Sequence, residues 1–231
     1  MANTSGAAAT SADRSPPPAA GAVADAIREA ILRGDYAPNQ WLVEADLSVR
    51  FDASRGTIRS ALVHLASEGV IERIQNRGAR VREVTLQEAI EISEVRMVVE
   101  SLCAAKAADR ATAEDCARLR DLGADMRQAV ATGDLLQYSE LNRQLDAQIR
   151  QISGQHTATA VLERLRGQNV RHQFRLALHP GRAAVSLPQH LAMIDAICTH
   201  NPRAAEKATR AHLASVIDTL PIVASGSTGP R

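Results

Sequence analysis

Aromatic side chains are almost missing from this 231-residue sequence: one Trp, two Tyr and two Phe make up 2% of a chain that is 45% hydrophobic. β-Sandwiches and barrels use aromatic and β-branched residues to fill a pleated surface, so apolar content carried by Ala, Leu, Val and Ile points to packed helices. Cysteine is scarce as well. Cys103, Cys116 and Cys198 are odd in number and lack metal-ligand spacing, so they read as small core residues of a reducing cytosol, with a redox switch as the alternative. No stretch approaches the ~18 consecutive apolar residues of a membrane helix, and the N-terminal segment lacks the apolar run of a secretory leader. The cytoplasm is the expected location. Net charge is also lacking, at +1, so an acidic partner has to be argued from local clusters. Lysine occurs only at Lys106 and Lys207, which leaves nearly all positive charge on arginine.

What is present divides the chain in two. Residues 1–20, with Pro16-Pro17-Pro18, and residues 222–231, with SGSTGPR, are too poor in apolar side chains to offset their ordering entropy and read as disordered tails. Between them, Val23, Ala26, Ile27, Ala30 and Ile31 recur at helical spacing over residues 22–32 and stop at Gly34. A turn follows at residues 36–40. Leu42, Leu47, Val49 and Phe51 mark a short second helix, and Ser54 is placed to cap a third that runs to about residue 67, before Glu68-Gly69. Two apolar segments, 70–74 and 79–84, flank Gln75-Asn76-Arg77-Gly78 as a β-hairpin. Three helices and a hairpin over residues 21–84 match the winged helix-turn-helix plan.

In the third helix Ile58, Ala61, Leu62 and Leu65 share an inward face, which turns Gly56, Arg59, Ser60 and Val63 outward. Arg55 and Arg59 lie one turn apart at its N-terminal end, where the helix dipole prefers carboxylates; an end that meets phosphates and guanine edges accounts for the inversion. Residues 21–83 hold nine Arg and nine acidic residues, but residues 54–82 hold six Arg (55, 59, 73, 77, 80, 82) against Glu68 and Glu72. The excess is focused on the third helix and hairpin. The alternative is a set of solvated surface arginines.

The spacing Ile27, Ile31, Gly34, Leu42, Glu44, Leu47, then Ser54-Arg55-Gly56-Thr57-Ile58-Arg59-Ser60-Ala61-Leu62, Leu65, Glu68-Gly69 and Asn76-Arg77-Gly78 resembles the winged domain of the GntR family of bacterial regulators. The resemblance implies that Arg55, Gly56, Thr57, Arg59 and Ser60 face the major groove and adjacent phosphates, with Arg77 and Gly78 at the wing tip approaching the minor groove. Ala45 stands where many relatives carry a DNA-contacting arginine, and Gly56 where Thr or Pro is common.

Residues 85–221 show helical periodicity with breaks near Thr112, Gly133, Ser153-Gly154, Pro180-Gly181 and Asn201-Pro202, giving an all-α bundle of about six helices. Glu94-Val95-Arg96, Glu100, Leu141-Asn142, Asp146, His190 and His212-Leu213 resemble the FCD effector domain of the FadR-type GntR subfamily. That resemblance implies a divalent metal, zinc or nickel, held by Asn142, Asp146, His190 and His212, with Asp146 where the family usually has His; the alternative is a buried polar network without an ion. It also implies that Arg96 receives an effector carboxylate, unless Arg96 pairs with Glu100 at i+4; Arg171 and Arg175 are further candidates. His64, His156, His172, His179 and His200 read as surface or structural.

The expected protein is mostly α: a ligand-responsive transcription regulator, a repressor and no enzyme, that binds operator DNA as a homodimer and is released by a small carboxylate. The rivals are a metal-dependent enzyme built on the bundle, against which no nucleophile motif or Glu-x-x-His pair is found, and an effector-free architectural DNA-binding protein.

Overall fold

A computed structural model describes residues 19–75 and 77–225, with the side chains of Leu32, Val170, Arg171 and Phe174 outside that description. The expected N-terminal tail therefore falls outside the described residues up to position 18. Helix α1 (Ala20–Arg33) begins two residues before the expected start and ends at Gly34, whose φ of 87° lets its own N–H and that of Asp35 bond back to Ile31 and Ala30.

β1 (Trp41–Leu42) then precedes α2 (Glu44–Arg50) and α3 (Arg55–Ser67), and β2 (Ile71–Ile74) turns into β3 (Gly78–Val81). The hairpin registers Glu72 opposite Arg80 and Ile74 opposite Gly78. The sheet has three strands rather than the two expected, because Trp41 and Leu42 pair antiparallel with Arg80 and Ala79. Leu42 thus belongs to a strand and not to the second helix. Ile27, Leu47, Ile58, Leu65 and Ile71 are fully buried between the three helices and the sheet, so this unit has its own core.

Six helices follow: α4 (Leu86–Arg110), α5 (Ala113–Thr132), α6 (Leu135–Ser153), α7 (His156–Ala177), α8 (Arg182–Cys198) and α9 (Pro202–Ser225). Their boundaries coincide with the expected breaks for local reasons. Thr112 and Asp115 form a reciprocal capping box, and Gly133, Gly154 and Gly181 adopt left-handed φ of 73°, 62° and 78° at helix junctions. Pro221 does not end α9. Residues 222–225, expected to be tail, continue the helix, since Val223 packs on the buried cluster of Leu176, Leu213 and Val216 and offsets the hydrogen bond that proline cannot donate. Residues 226–231 lie outside the described residues.

Cys103 and Cys116 are buried and free. Among the described residues no helix is long and apolar enough to cross a membrane.

The two units meet at α7. The side chain of Gln168 lies over Gly69 so closely that a Cβ there would sit 2.8 Å from Gln168 Cγ. Four residues further along, His172 Nε2 donates to the Val84 carbonyl at 2.8 Å, on the segment that enters α4.

Candidate nucleic-acid interface and bundle cavity

α3 begins as its sequence dictates. Ser54 Oγ accepts the Thr57 N–H at 3.1 Å and also bonds Thr57 Oγ1 at 2.8 Å, so the Thr57 hydroxyl serves the cap. Ile58, Ala61, Leu62 and Leu65 are buried, which leaves Arg55, Gly56, Arg59 and Ser60 exposed on the opposite side. No acidic residue occupies the first turn, and the free N–H groups of that turn face solvent beside Arg55. The six local arginines are not equivalent. Arg80 is paired with Glu72 at 2.9 Å, Arg82 with Glu88, and Arg59 Nε with Glu44 at 2.8 Å. Arg55, Arg73 and Arg77 form no ion pair among the described residues, so the uncompensated charge lies at the start of α3 and on the wing. Arg77 and Gly78 are both exposed at the hairpin turn, where Gly78 has φ 97° and open space around its α-carbon. Asn76, between the strands, lies outside the described residues.

A cavity of about 830 Å³ lies between the bundle and the winged unit, with Arg28 and Glu68 of the winged unit among the residues that line it. Its inner wall carries Arg96, Asn142, Asp146, Arg166, Arg182, His190 and His212. Two of these arginines are neutralised inside it. Arg96 Nε donates to Glu100 Oε1 at 2.8 Å, with Arg96 buried and Glu100 half-buried, and Arg166 Nη2 lies 3.3 Å from Asp146 Oδ2.

The two histidines form one hydrogen-bonded chain. Tyr138 Oη and His190 Nδ1 are 2.9 Å apart, His190 Nε2 and His212 Nε2 3.3 Å, and His212 Nδ1 and Gln189 Oε1 2.9 Å. Burial holds all three titratable members neutral. It lowers His190 to about 4 and His212 well below the ordinary range, and it raises the Tyr138 phenol. The Tyr138 phenol therefore donates to His190 Nδ1, His190 Nε2–H donates to His212 Nε2, and His212 Nδ1–H donates to Gln189. All four ring nitrogens are satisfied without an ion.

Residues 19–81 match the model of bacterial regulatory proteins of the gntR family, and residues 91–215 match the FCD domain. The chain belongs to the GntR family, FadR type. This GntR regulator is 27% identical over 194 residues to the HTH-type transcriptional repressor RspR of Escherichia coli K12, covering 84% of this chain and 85% of that protein. In fold it is similar to Escherichia coli McbR/YncC, with TM-score 0.74 and 20% identity over 90% of this chain and 97% of that one. It is also similar to a GntR transcriptional regulator from Rhodococcus sp. RHA1, with TM-score 0.68 and 21% identity over 91% and 99%. RspR is a transcriptional repressor, and the GntR regulator is a ligand-responsive transcription regulator rather than an enzyme.

The structure sorts the residues that the sequence singled out. In the GntR regulator, Asn142, Asp146, His190 and His212 all line one cavity, but they do not assemble as four ligands. Asp146 is engaged by Arg166, the histidines bond to each other, and among the described residues no group of three His, Cys, Asp or Glu could hold a metal. The donor set does not fit a zinc or nickel site. Arg96 faces the cavity, yet as half of a part-buried pair with Glu100, the alternative that the i+4 spacing left open. Arg175 is exposed and not among the cavity-lining residues, and the Arg171 side chain lies outside the described residues. Tyr138, Arg166, Gln173 and Arg182 were not expected. For Arg182 a signal existed: it is a cation in the first turn of α8 directly after Gly181, the same dipole inversion that drew attention to Arg55.

Proposed function

We propose that this protein is a cytoplasmic repressor that binds operator DNA as a homodimer through α3 and the wing, and that a small carboxylate entering the bundle cavity releases it. The observation that carries the DNA reading is the uncompensated Arg55 beside the open first turn of α3, with Arg73 and Arg77 on the adjacent wing. Arg55, Gly56, Arg59 and Ser60 would meet base edges and phosphates, with Thr57 locking the cap and Arg77 and Gly78 tracking the neighbouring backbone. Glu44 would yield Arg59 to DNA, since that pair is solvent-exposed and worth little. The test is titration of a duplex from the protein's own promoter region. Binding should be sequence-selective and fall steeply with salt; salt-insensitive or unselective binding rejects the reading.

The dimer reading rests on α4. Val95, Val98 and Leu102, spaced i, i+3 and i+7, are 48%, 55% and 45% exposed in the single chain, an apolar stripe on a helix whose other exposed side chains are polar. A second copy of the same stripe would cover it about a two-fold axis, as two recognition helices meeting two half-sites require. Leu102→Glu is expected to give monomers by light scattering and to lose cooperative operator binding. A dimer that persists in Leu102→Glu and in Val98→Glu places the interface elsewhere.

Effector control is supported by α7, which lines the cavity with Gln173 and contacts the winged unit through Gln168 and His172. A ligand that moves α7 shifts both contacts together. An architectural protein without an effector would have no use for such a cavity.

A further inference from the structure

We infer that Arg182, rather than a metal ion or Arg96, anchors the effector, and that the effector is a carboxylate bearing a hydroxyl group. The inference deepens the effector reading proposed above and rests on it.

The charges inside the cavity identify the anchor. Arg96 has Glu100 and Arg166 has Asp146; Arg150 and Arg182 have no carboxylate within ion-pairing distance among the described residues, and of these two only Arg182 is buried. It is only 6% exposed. Its Nη1 donates to Ser215 Oγ at 2.7 Å and to the Ser215 carbonyl and Thr219 Oγ1 at 3.3 Å, which fixes the guanidinium against α9. Its Nη2 is buried with no partner. The side chains beside it, Tyr138, His190 and His212, include no carboxylate. A buried, oriented guanidinium without an anion is costly for the protein alone and suited to receiving one.

Two other cavity-lining groups describe the rest of the ligand. Gln173 Nε2, on α7, is a buried donor without an acceptor, and Asn142 Oδ1, on α6, is a buried acceptor without a donor. Buried polar atoms are nearly always satisfied, so three orphans among the residues lining one cavity outline a missing polar partner. A carboxylate accepts from Arg182 and Gln173, and a hydroxyl donates to Asn142. A plain fatty acid leaves Asn142 unsatisfied, and a neutral sugar leaves Arg182 uncompensated. Because Arg182 starts α8 and Gln173 belongs to α7, one carboxylate held between them ties together two helices, and α7 is the helix that touches the winged unit.

The test uses the full chain with a panel of hydroxycarboxylates (lactate, malate, gluconate), their deoxy partners (propionate, succinate, hexanoate) and glucose. Binding is read by thermal shift and calorimetry, before and after chelation, and operator binding is measured in parallel. The expected result is that at least one hydroxycarboxylate binds more than tenfold tighter than its deoxy partner, glucose does not bind, and chelation changes nothing. Arg182→Met should weaken that ligand more than tenfold while the ligand-free Tm stays level or rises, because an unpaired buried charge has been removed. Arg182→Lys should recover part of the affinity. If Arg182→Met does not fold, Gln173→Leu and Asn142→Leu carry the same comparison, each expected to lose more than fivefold. Undiminished binding in these variants, binding that needs added zinc or nickel, or no member of the panel binding at all overturns the inference. Intact operator binding alongside any of those outcomes leaves the DNA reading standing, whereas its loss in the unaltered chain sinks the regulator reading itself.

Discussion

Arg55→Ala is expected to weaken operator binding by about 10–100-fold, the range set by the ~1–3 kcal/mol of a bidentate arginine–guanine contact. Arg55 is exposed, unpaired and set beside the free N–H groups of α3, so removal costs the folded chain little and the complex much. The contrast within the same charge cluster sharpens the expectation. Arg80 is tied to Glu72 across the wing, and Arg80→Ala should leave affinity within about threefold at matched salt. Arg77→Ala should act differently again, lowering the slope of log affinity against log salt by about one unit without changing sequence preference, as a phosphate contact does. Fluorescence anisotropy over a salt series separates the three. Equal behaviour of Arg55→Ala and Arg80→Ala would remove α3 from the interface.

Acidification should loosen the bundle through its buried histidines. His190 titrates near 4 in the folded chain because burial disfavours its charged form, against an ordinary value of 6.5. The unfolded chain therefore binds the extra proton first. The stabilisation is complete above pH 6.5 and is lost as pH falls toward 4, about 2 kcal/mol of it by pH 5. His212, lowered by burial and by its neighbour His190, adds in the same direction. Glu140 acts in a separate window: its bonds to Arg143 hold it down to about 2, so its contribution disappears only below pH 4.5. Urea unfolding at pH 7 and pH 5 reads the difference. In the His190→Leu/His212→Leu variant the loss between those pH values should largely vanish, and a wild-type chain equally stable at both would show that the histidine chain is not buried neutral.

Much of the fold was legible because its signals are local. The buried face of α3, the Ser54 cap and the glycines at 34, 133, 154 and 181 each depend on a few neighbouring residues, and each lies where its spacing put it. β1 escaped because two residues cannot display the alternation that marks a strand, so Leu42 was counted with the helix that follows. α9 outran Pro221 because the cost of proline is met by packing of Val223 against residues from α7 and α9, a contact with no trace in local spacing.

The cavity divides along the same line. The sequence by itself determined that a winged unit precedes a six-helix bundle and that Arg55 stands at an exposed helix start, since helical period and caps follow from neighbours in the chain; that Asn142, Asp146, His190 and His212 share one chamber was implied by the family resemblance. Only the tertiary structure decided that Asp146 goes to Arg166, that the histidines bond to each other, and that Arg182, among the described residues lining the cavity, is buried without an anion. The balance of charge in an enclosed space is a sum over several helices, and no segment of sequence contains that sum.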